Sequence, residues 1–261
     1  MKHIAILGID LQSDFTSPTG TLFVKGADRD VERIARFIDK NASRIDYIAL
    51  TLDSHQPIHI AHRIYWKDTD GNYPQEFSII KADDVREGHW IPQYNKNIAL
   101  PYLEQLEESG EVCVIWPQHC ILGTNGWSLD KLLTDSLSRW AINCNKTYDL
   151  FYKGYVQFTE HYSIFKAAVE YDDTPETQLN RKLLNILNTF DEIILMGEAA
   201  DYCVANSLND ILDECNTLTS KVVVLTDCMS WINPNNEKAK LIYDKAKHLG
   251  VRFRTSEDYS L

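Results

Sequence analysis

Short β-branched or apolar runs alternate along this chain with stretches of helical periodicity, and that alternation narrows the possible folds more than any other feature. The runs are Ile4–Ile9, Tyr47–Leu52, Val112–Trp116, Thr147–Tyr152, Glu192–Gly197, Lys221–Thr226 and a last one near Val251–Arg254. Helical patterns lie at Asp28–Lys40, Leu129–Ala141, Glu176–Thr189, Cys203–Cys215 and Asn236–Gly250. In the stretch that starts at Cys203, the residues Val204, Leu208, Ile211, Leu212 and Cys215 make one apolar stripe. Strands separated by crossover helices form a mainly parallel sheet with helices on both faces, an α/β fold. A chain of 261 residues can bury such a core, and a single domain over 1–261 is expected. The stretch from about 56 to 110 breaks the rhythm with aromatics, prolines and charges. A connection this long in a compact domain is usually functional. It is read as an insert that forms a wall or lid of a site, the alternative being an excursion packed on its own helix.

Composition sets limits on partners. The formal net charge is −12 with no compensating basic run, which argues against a nucleic-acid partner. No apolar run approaches the about 18 residues that a membrane helix needs, so no membrane partner is expected. The opening residues Met1 to Asp10 turn polar too soon for a signal peptide. Six cysteines are scattered without CxxC spacing and read as reduced thiols, which suits a cytoplasmic protein.

The chemistry-bearing residues gather where strands end, the edge of an open α/β sheet at which ligand sites assemble. Asp10 closes the first run and could take a proton from a neighbouring thiol, although an N-cap is an equal reading. Asp53-Ser-His55 closes the second and places two metal-ligand types on one side of an extended chain. His119 follows the run Val112–Trp116 by three residues, and His59 and His62 stand near His55. Four of the eight histidines thus fall in these two stretches, pointing to a divalent metal. Lys153 follows the fourth run; beside a carboxylate and a thiolate it would hold the pair charged. Gly197-Glu-Ala-Ala-Asp-Tyr-Cys203 puts a thiol where a strand turns into a helix. There the first-turn N–H groups favour the thiolate and could cradle an oxyanion. Together these are the parts of a metal-assisted cysteine hydrolase.

In order along most of the chain, these segments resemble the nicotinamidase/pyrazinamidase branch of the isochorismatase-like cysteine hydrolase superfamily. The matching pieces are Asp10-x-Gln12-x-Asp14-Phe15 with Gly20 to Ala27, Asp53-x-His55, Trp116-Pro-x-His119-Cys120, Lys153-Gly154 with Tyr162-Ser163-x-Phe165, and Gly197-x-Ala199-x-Asp201-Tyr202-Cys203-Val204. The resemblance implies a six-stranded, mainly parallel Rossmann-like sheet with helices on both faces. It implies a catalytic triad of Asp10, Lys153 and Cys203, and metal ligands Asp53, His55 and His119. A cis peptide before Ala199, an oxyanion hole from the N–H groups of Ala199 and Cys203, and an aromatic substrate pocket of Phe15, Trp116 and Tyr162 follow from it too. So does assembly as a homo-oligomer. The sequence departs from the family at Ser54, where an aromatic is frequent, and at Glu198, where an apolar residue is usual. The 56–110 stretch is longer than in compact members, and the fourth ligand position is left to His59, His62 or water.

The expected activity is hydrolysis of nicotinamide, or a similar small aromatic amide, to the acid and ammonia. Zinc is the first choice of metal, with iron or manganese also suited to carboxylate and imidazole donors. The alternatives are a hydrolase of another small amide or carbamoyl compound on the same scaffold, and a catalytically inactive metal- or ligand-binding relative.

Overall fold

The computed structural model describes residues 2–259 and 261; Met1 and Ser260 lie outside that description. Six strands form the central sheet: β1 (Ile4–Ile9), β2 (Tyr47–Asp53), β3 (Asp149–Lys153), β4 (Glu192–Gly197), β5 (Val222–Leu225) and β6 (Arg252–Arg254). Their order is β6-β5-β4-β1-β2-β3, and every pairing is parallel. β1 and β4 are buried along their whole lengths, which is why they read as continuous apolar runs rather than alternating ones.

Six longer helices complete the α/β architecture: α1 (Ala27–Asn41), α2 (Lys96–Glu108), α3 (Lys131–Cys144), α4 (Arg181–Asn188), α5 (Ala205–Glu214) and α6 (Glu237–His248). Ala5, Leu7 and Ile9 face one side of the sheet and meet Leu183, Leu187, Leu208, Ile211 and Ile242 from α4, α5 and α6. Ile4 and Ile6 face the other and meet Ile34, Ile38, Leu133, Leu137 and Trp140 from α1 and α3. The period-2 alternation of β1 thus divides the apolar interior between two helical layers. No helix among the described residues is long and apolar enough to cross a membrane.

One expected strand lies elsewhere. Of the run Val112–Trp116, only Cys113–Val114 is strand, paired antiparallel with Ile79–Ile80 outside the central sheet. An apolar, β-branched run specifies a buried extended backbone, but not its neighbour. The place beside β2 goes instead to β3.

The 56–110 stretch builds a hydrophobic cluster of its own. Tyr65, Trp66, Ile80, Tyr102, Leu103 and Leu106 pack with Cys113, Ile115 and Val169. Most of its aromatics therefore cover α2 rather than a ligand site, and the reading as an excursion packed on its own helix fits them better than the lid. Contact with the site comes from its first residues and from Phe77, whose ring meets Trp116 edge-on at 5.9 Å. Trp66 is fully buried, and its indole N–H donates to Ile60 O at 2.7 Å. Trp66→Ala should cost about 3–5 kcal/mol of stability, read by denaturant unfolding, while leaving the ranking of small-molecule substrates unchanged.

Candidate active site

The strand order reverses around β1, which has β4 on one side and β2 on the other, and the crevice at such a switch point opens at the carboxyl ends of the strands. Asp10, Asp53, Lys153 and Cys203 all arrive there. Asp10 follows β1 in the left-handed region (φ 47°), a conformation that aspartate tolerates better than most residues. Its N–H donates to Thr51 Oγ1 at 3.0 Å, and Thr51 Oγ1 in turn donates to Asp10 Oδ1 at 2.5 Å. Gln12 fixes the next strand end: it accepts from Asp53 N (2.7 Å) and donates to Asp53 O and Trp127 O (both 2.8 Å).

Lys153 lies at the centre, 1% exposed. Its Nζ is 2.9 Å from Asp10 Oδ2, 3.3 Å from Asp53 Oδ1 and 3.5 Å from Cys203 Sγ. Burial alone would lower its pKa, but Asp10 and Asp53 outweigh burial and hold the ammonium charged well beyond an ordinary lysine. Gly154 follows in a positive-φ conformation, where a Cβ would collide with the Asp53 carboxylate and the His55 ring. Only glycine lets this strand end come so close.

Cys203 occupies a π-helical turn, Ala200–Val204, between β4 and α5. The Glu198–Ala199 peptide that opens the turn is cis. The Ala199 N–H has no acceptor among the described residues and is free to serve a ligand. The thiol departs from the sequence expectation of a lowered pKa. Burial pushes it well above the ordinary cysteine range, Lys153 opposes that rise, and Asp10 and Asp53 add to it. Burial raises the Asp10 carboxyl too, with Lys153 opposing it, so the two groups that would exchange a proton share one buried ammonium.

Metal-ligand types converge one layer away. Asp53 Oδ2 lies 2.9 Å from His55 Nε2 and 3.3 Å from His119 Nε2. Each imidazole places its Nδ1 on a backbone carbonyl, His55 on Gly154 O (2.9 Å) and His119 on Pro117 O (2.7 Å). These contacts assign the proton to Nδ1 and leave both Nε2 lone pairs aimed at a carboxylate oxygen. Three lone-pair donors facing one another in a buried place call for a cation between them. Asp53 Oδ1, His55 Nε2 and both ring nitrogens of His62 are buried without a hydrogen-bond partner. This donor set fits a divalent metal.

His59 and His62 stand together with His55 as a second possible ligand group, and their hydrogen bonding differs. His59 Nδ1 accepts from Ala61 N and Nε2 contacts Thr159 O, both at 3.2 Å, so both nitrogens are used. His62 has neither nitrogen engaged, and its ring centroid is 5.1 Å from that of His55.

A cleft opens above these groups. Phe15, Trp116 and Tyr162 line it, with Leu22, Ala199 and Cys203. Glu160, Tyr202 and Ile232 line it as well and were missed from the sequence. Glu160 was legible in principle as a lone acid within the aromatic segment Phe158 to Tyr162. The Tyr202 ring meets Trp116 edge-on at 4.9 Å and Tyr162 at 5.5 Å, closing one wall.

No protein-family model matches the chain. Among curated proteins it is 26% identical over 259 residues to a nicotinamidase of Escherichia coli (strain K12), covering 99% of this chain and 98% of the relative. Among solved structures it superposes on yeast nicotinamidase bound to the inhibitor nicotinaldehyde, with a TM-score of 0.65, 18% identity and coverage of 97% and 99% of the two chains. A Pyrococcus horikoshii pyrazinamidase in complex with zinc matches with a TM-score of 0.56 at 19% identity, over 97% of this chain and 99% of that one. The fold is that of the isochorismatase-like hydrolases. The sequence relatives found are nicotinamidases, the branch that its motifs resemble.

Proposed function

We propose that the chain is a metal-assisted cysteine amidase that hydrolyses nicotinamide, or a flat aromatic carboxamide like it, to the acid and ammonia. The observation that carries this reading is the buried Lys153 ammonium in contact with Asp10, Asp53 and Cys203 at the floor of an aromatic cleft.

Cys203 Sγ attacks the amide carbonyl and passes its proton to Asp10, which shares the Lys153 ammonium with the thiol. As the S–C bond forms, the carbonyl electron pair moves onto oxygen, where the N–H groups of Ala199 and Cys203 receive it. Collapse breaks the C–N bond, and Asp10 returns the proton so that ammonia departs. Asp10 then takes a proton from the water that attacks the thioester, and expulsion of the sulfur restores the thiol as the acid leaves. Throughout, the Lys153 charge stabilises whichever of Asp10 and Cys203 is ionised. Phe15, Trp116 and Tyr162 orient the ring. Asp53, His55 and His119, with His62 as the further donor, would hold a divalent metal, for which zinc is the first expectation; bound there, it supplies Lewis acidity beside the ring and the reacting carbonyl.

Ammonia release from a panel of carboxamides, measured with and without prior chelation, tests this reading. Nicotinamide and pyrazinamide should be cleaved faster than aliphatic amides, with the rate lost on chelation and regained with zinc, iron or manganese. Elemental analysis should find His62→Ala retaining metal about 10- to 100-fold more weakly. Absence of ammonia release from every aromatic carboxamide, by protein carrying metal, would overturn the proposal.

A further inference from the structure

Behind the turn that carries Cys203 lies a buried acid that the proposed reaction does not touch. Glu198 is fully buried. Its Oε2 accepts the Ser230 N–H at 3.1 Å, while Oε1 has no donor among the described residues. Ser230 joins Glu198 to a second acid, Asp30 in the first turn of α1, since the same serine gives its N–H to Glu198 and its Oγ–H to Asp30. Asp30 is already engaged: Oδ1 pairs with the Arg33 guanidinium and Oδ2 accepts the Ser230 Oγ–H, both at 2.5 Å. Two buried carboxyl groups bonded to one serine repel each other when both are ionised, and the one lacking a cation is the one burial favours in its neutral form. Arg33 neutralises Asp30, and no cation pairs with Glu198 among the described residues. Burial first, and then the charge of Asp30, push the Glu198 carboxyl well above the usual range.

The same residues fasten the turn's backbone. Gly197 N–H donates to Cys228 O (2.9 Å), Glu198 N–H to Ile9 O (2.9 Å) and Ala200 N–H to Ser230 O (2.8 Å). Ser230 is therefore tied to the turn by two bonds and to α1 by one, and Glu198 closes the circuit. Ala199, whose N–H is unpartnered, lies between two of these anchored residues.

We propose that Glu198 is a positioning residue: a neutral carboxylic acid whose O–H donates to Asp30 and thereby latches the oxyanion turn to α1 and to the Ser230 loop. The catalytic part of this proposal rests on the amidase reading of the site.

Two substitutions and one spectroscopic measurement test it. Glu198→Gln keeps both bonds, since the amide N–H can donate to Asp30 and the amide oxygen can accept from Ser230. Glu198→Leu keeps neither. The leucine variant should lose about 10- to 100-fold in kcat with KM within about twofold, because a shifted oxyanion donor is felt mainly in the transition state. The glutamine variant should stay within about threefold of wild type on the same reasoning. Wild-type kcat in Glu198→Leu, or an equal loss in Glu198→Gln, would overturn the proposal.

Infrared spectroscopy at neutral pH reads the proton without any substrate. Wild type should show the carbonyl stretch of a buried protonated acid, and Glu198→Gln should lack it. A missing band in wild type, or one that persists in the glutamine variant, overturns the latch. This measurement and the glutamine rate still decide the matter if Glu198→Leu does not fold. Should wild type cleave no carboxamide, the amidase reading fails on its own, and the infrared band judges the Glu198–Asp30 proton separately.

Discussion

Replacing Cys203 with alanine should lower ammonia release by at least about 10⁴-fold while the protein stays folded. Cys203 supplies the one thiol that lines the cleft among the described residues, and its Sγ lies 3.5 Å from the Lys153 ammonium. Without sulfur there is no atom to form the thioester, and the oxyanion donors alone can only polarise the amide. The fold should tolerate the change because alanine suits a helical turn and the neighbours, Ala200, Val204 and Ala205, are themselves small. The Asp10–Lys153 pair, 2.9 Å apart, does not depend on the sulfur. Cys113, Cys120 and Cys228 offer the contrast. All three are buried and none lines the cleft, so replacing them should change stability rather than rate. Ammonia release and a thermal melt, run together on Cys203→Ala, check both halves. A rate near wild type would remove Cys203 as the nucleophile.

Lys153→Met should be damaging in a second way, costing about 3–5 kcal/mol of stability in addition to abolishing turnover. Methionine keeps an unbranched apolar stem, one heavy atom shorter, and removes the ammonium. What remains is Asp10 and Asp53, both buried, each deprived of the ammonium that stood within 3.3 Å. An uncompensated buried carboxylate is far costlier than a well-packed neutral chain. Denaturant unfolding of apo protein isolates this effect from any contribution of a metal. Unchanged stability in Lys153→Met would mean that the ammonium does not balance the two acids.

Much of this site could be read from the sequence because the fold puts chemistry at strand ends. Asp10 and Asp53 each close a run buried on both faces, which is recognisable without knowing its neighbours, and Lys153 closes a run that is exposed except at its end. What could not be read depended on neighbours. Val112–Trp116 has the residues of a sheet strand, yet Ile79–Ile80 captures its centre and the sheet omits it. His59 and His62 are equivalent as spacings, and only the hydrogen bonds of His59 to Ala61 and Thr159 separate them. The helix-terminus argument for a depressed Cys203 pKa was sound locally but was outweighed by burial, a property of the assembled core. Glu198 read as an anomaly in an otherwise matching motif; its meaning required Asp30, 168 positions earlier in the chain, to be brought beside it.

The cation at the centre of the site stands on an edge strand of the sheet. β3 pairs with β2 alone, and Leu150 and Tyr152 face outward from it. Its inner end is held by the Ser54 N–H on Lys153 O (2.8 Å) and its outer end by Tyr47 Oη on Asp149 (2.8 Å). Edge elements open locally at lower free energy than the strands at the centre of a sheet. Fraying of β3 would withdraw the ammonium while β1 and β4 stayed closed around Asp10 and the thiol turn. Heat would then inactivate this molecule before it melts, and its amide protons at 149–153 would exchange with solvent ahead of those in the strands that carry its other functional groups.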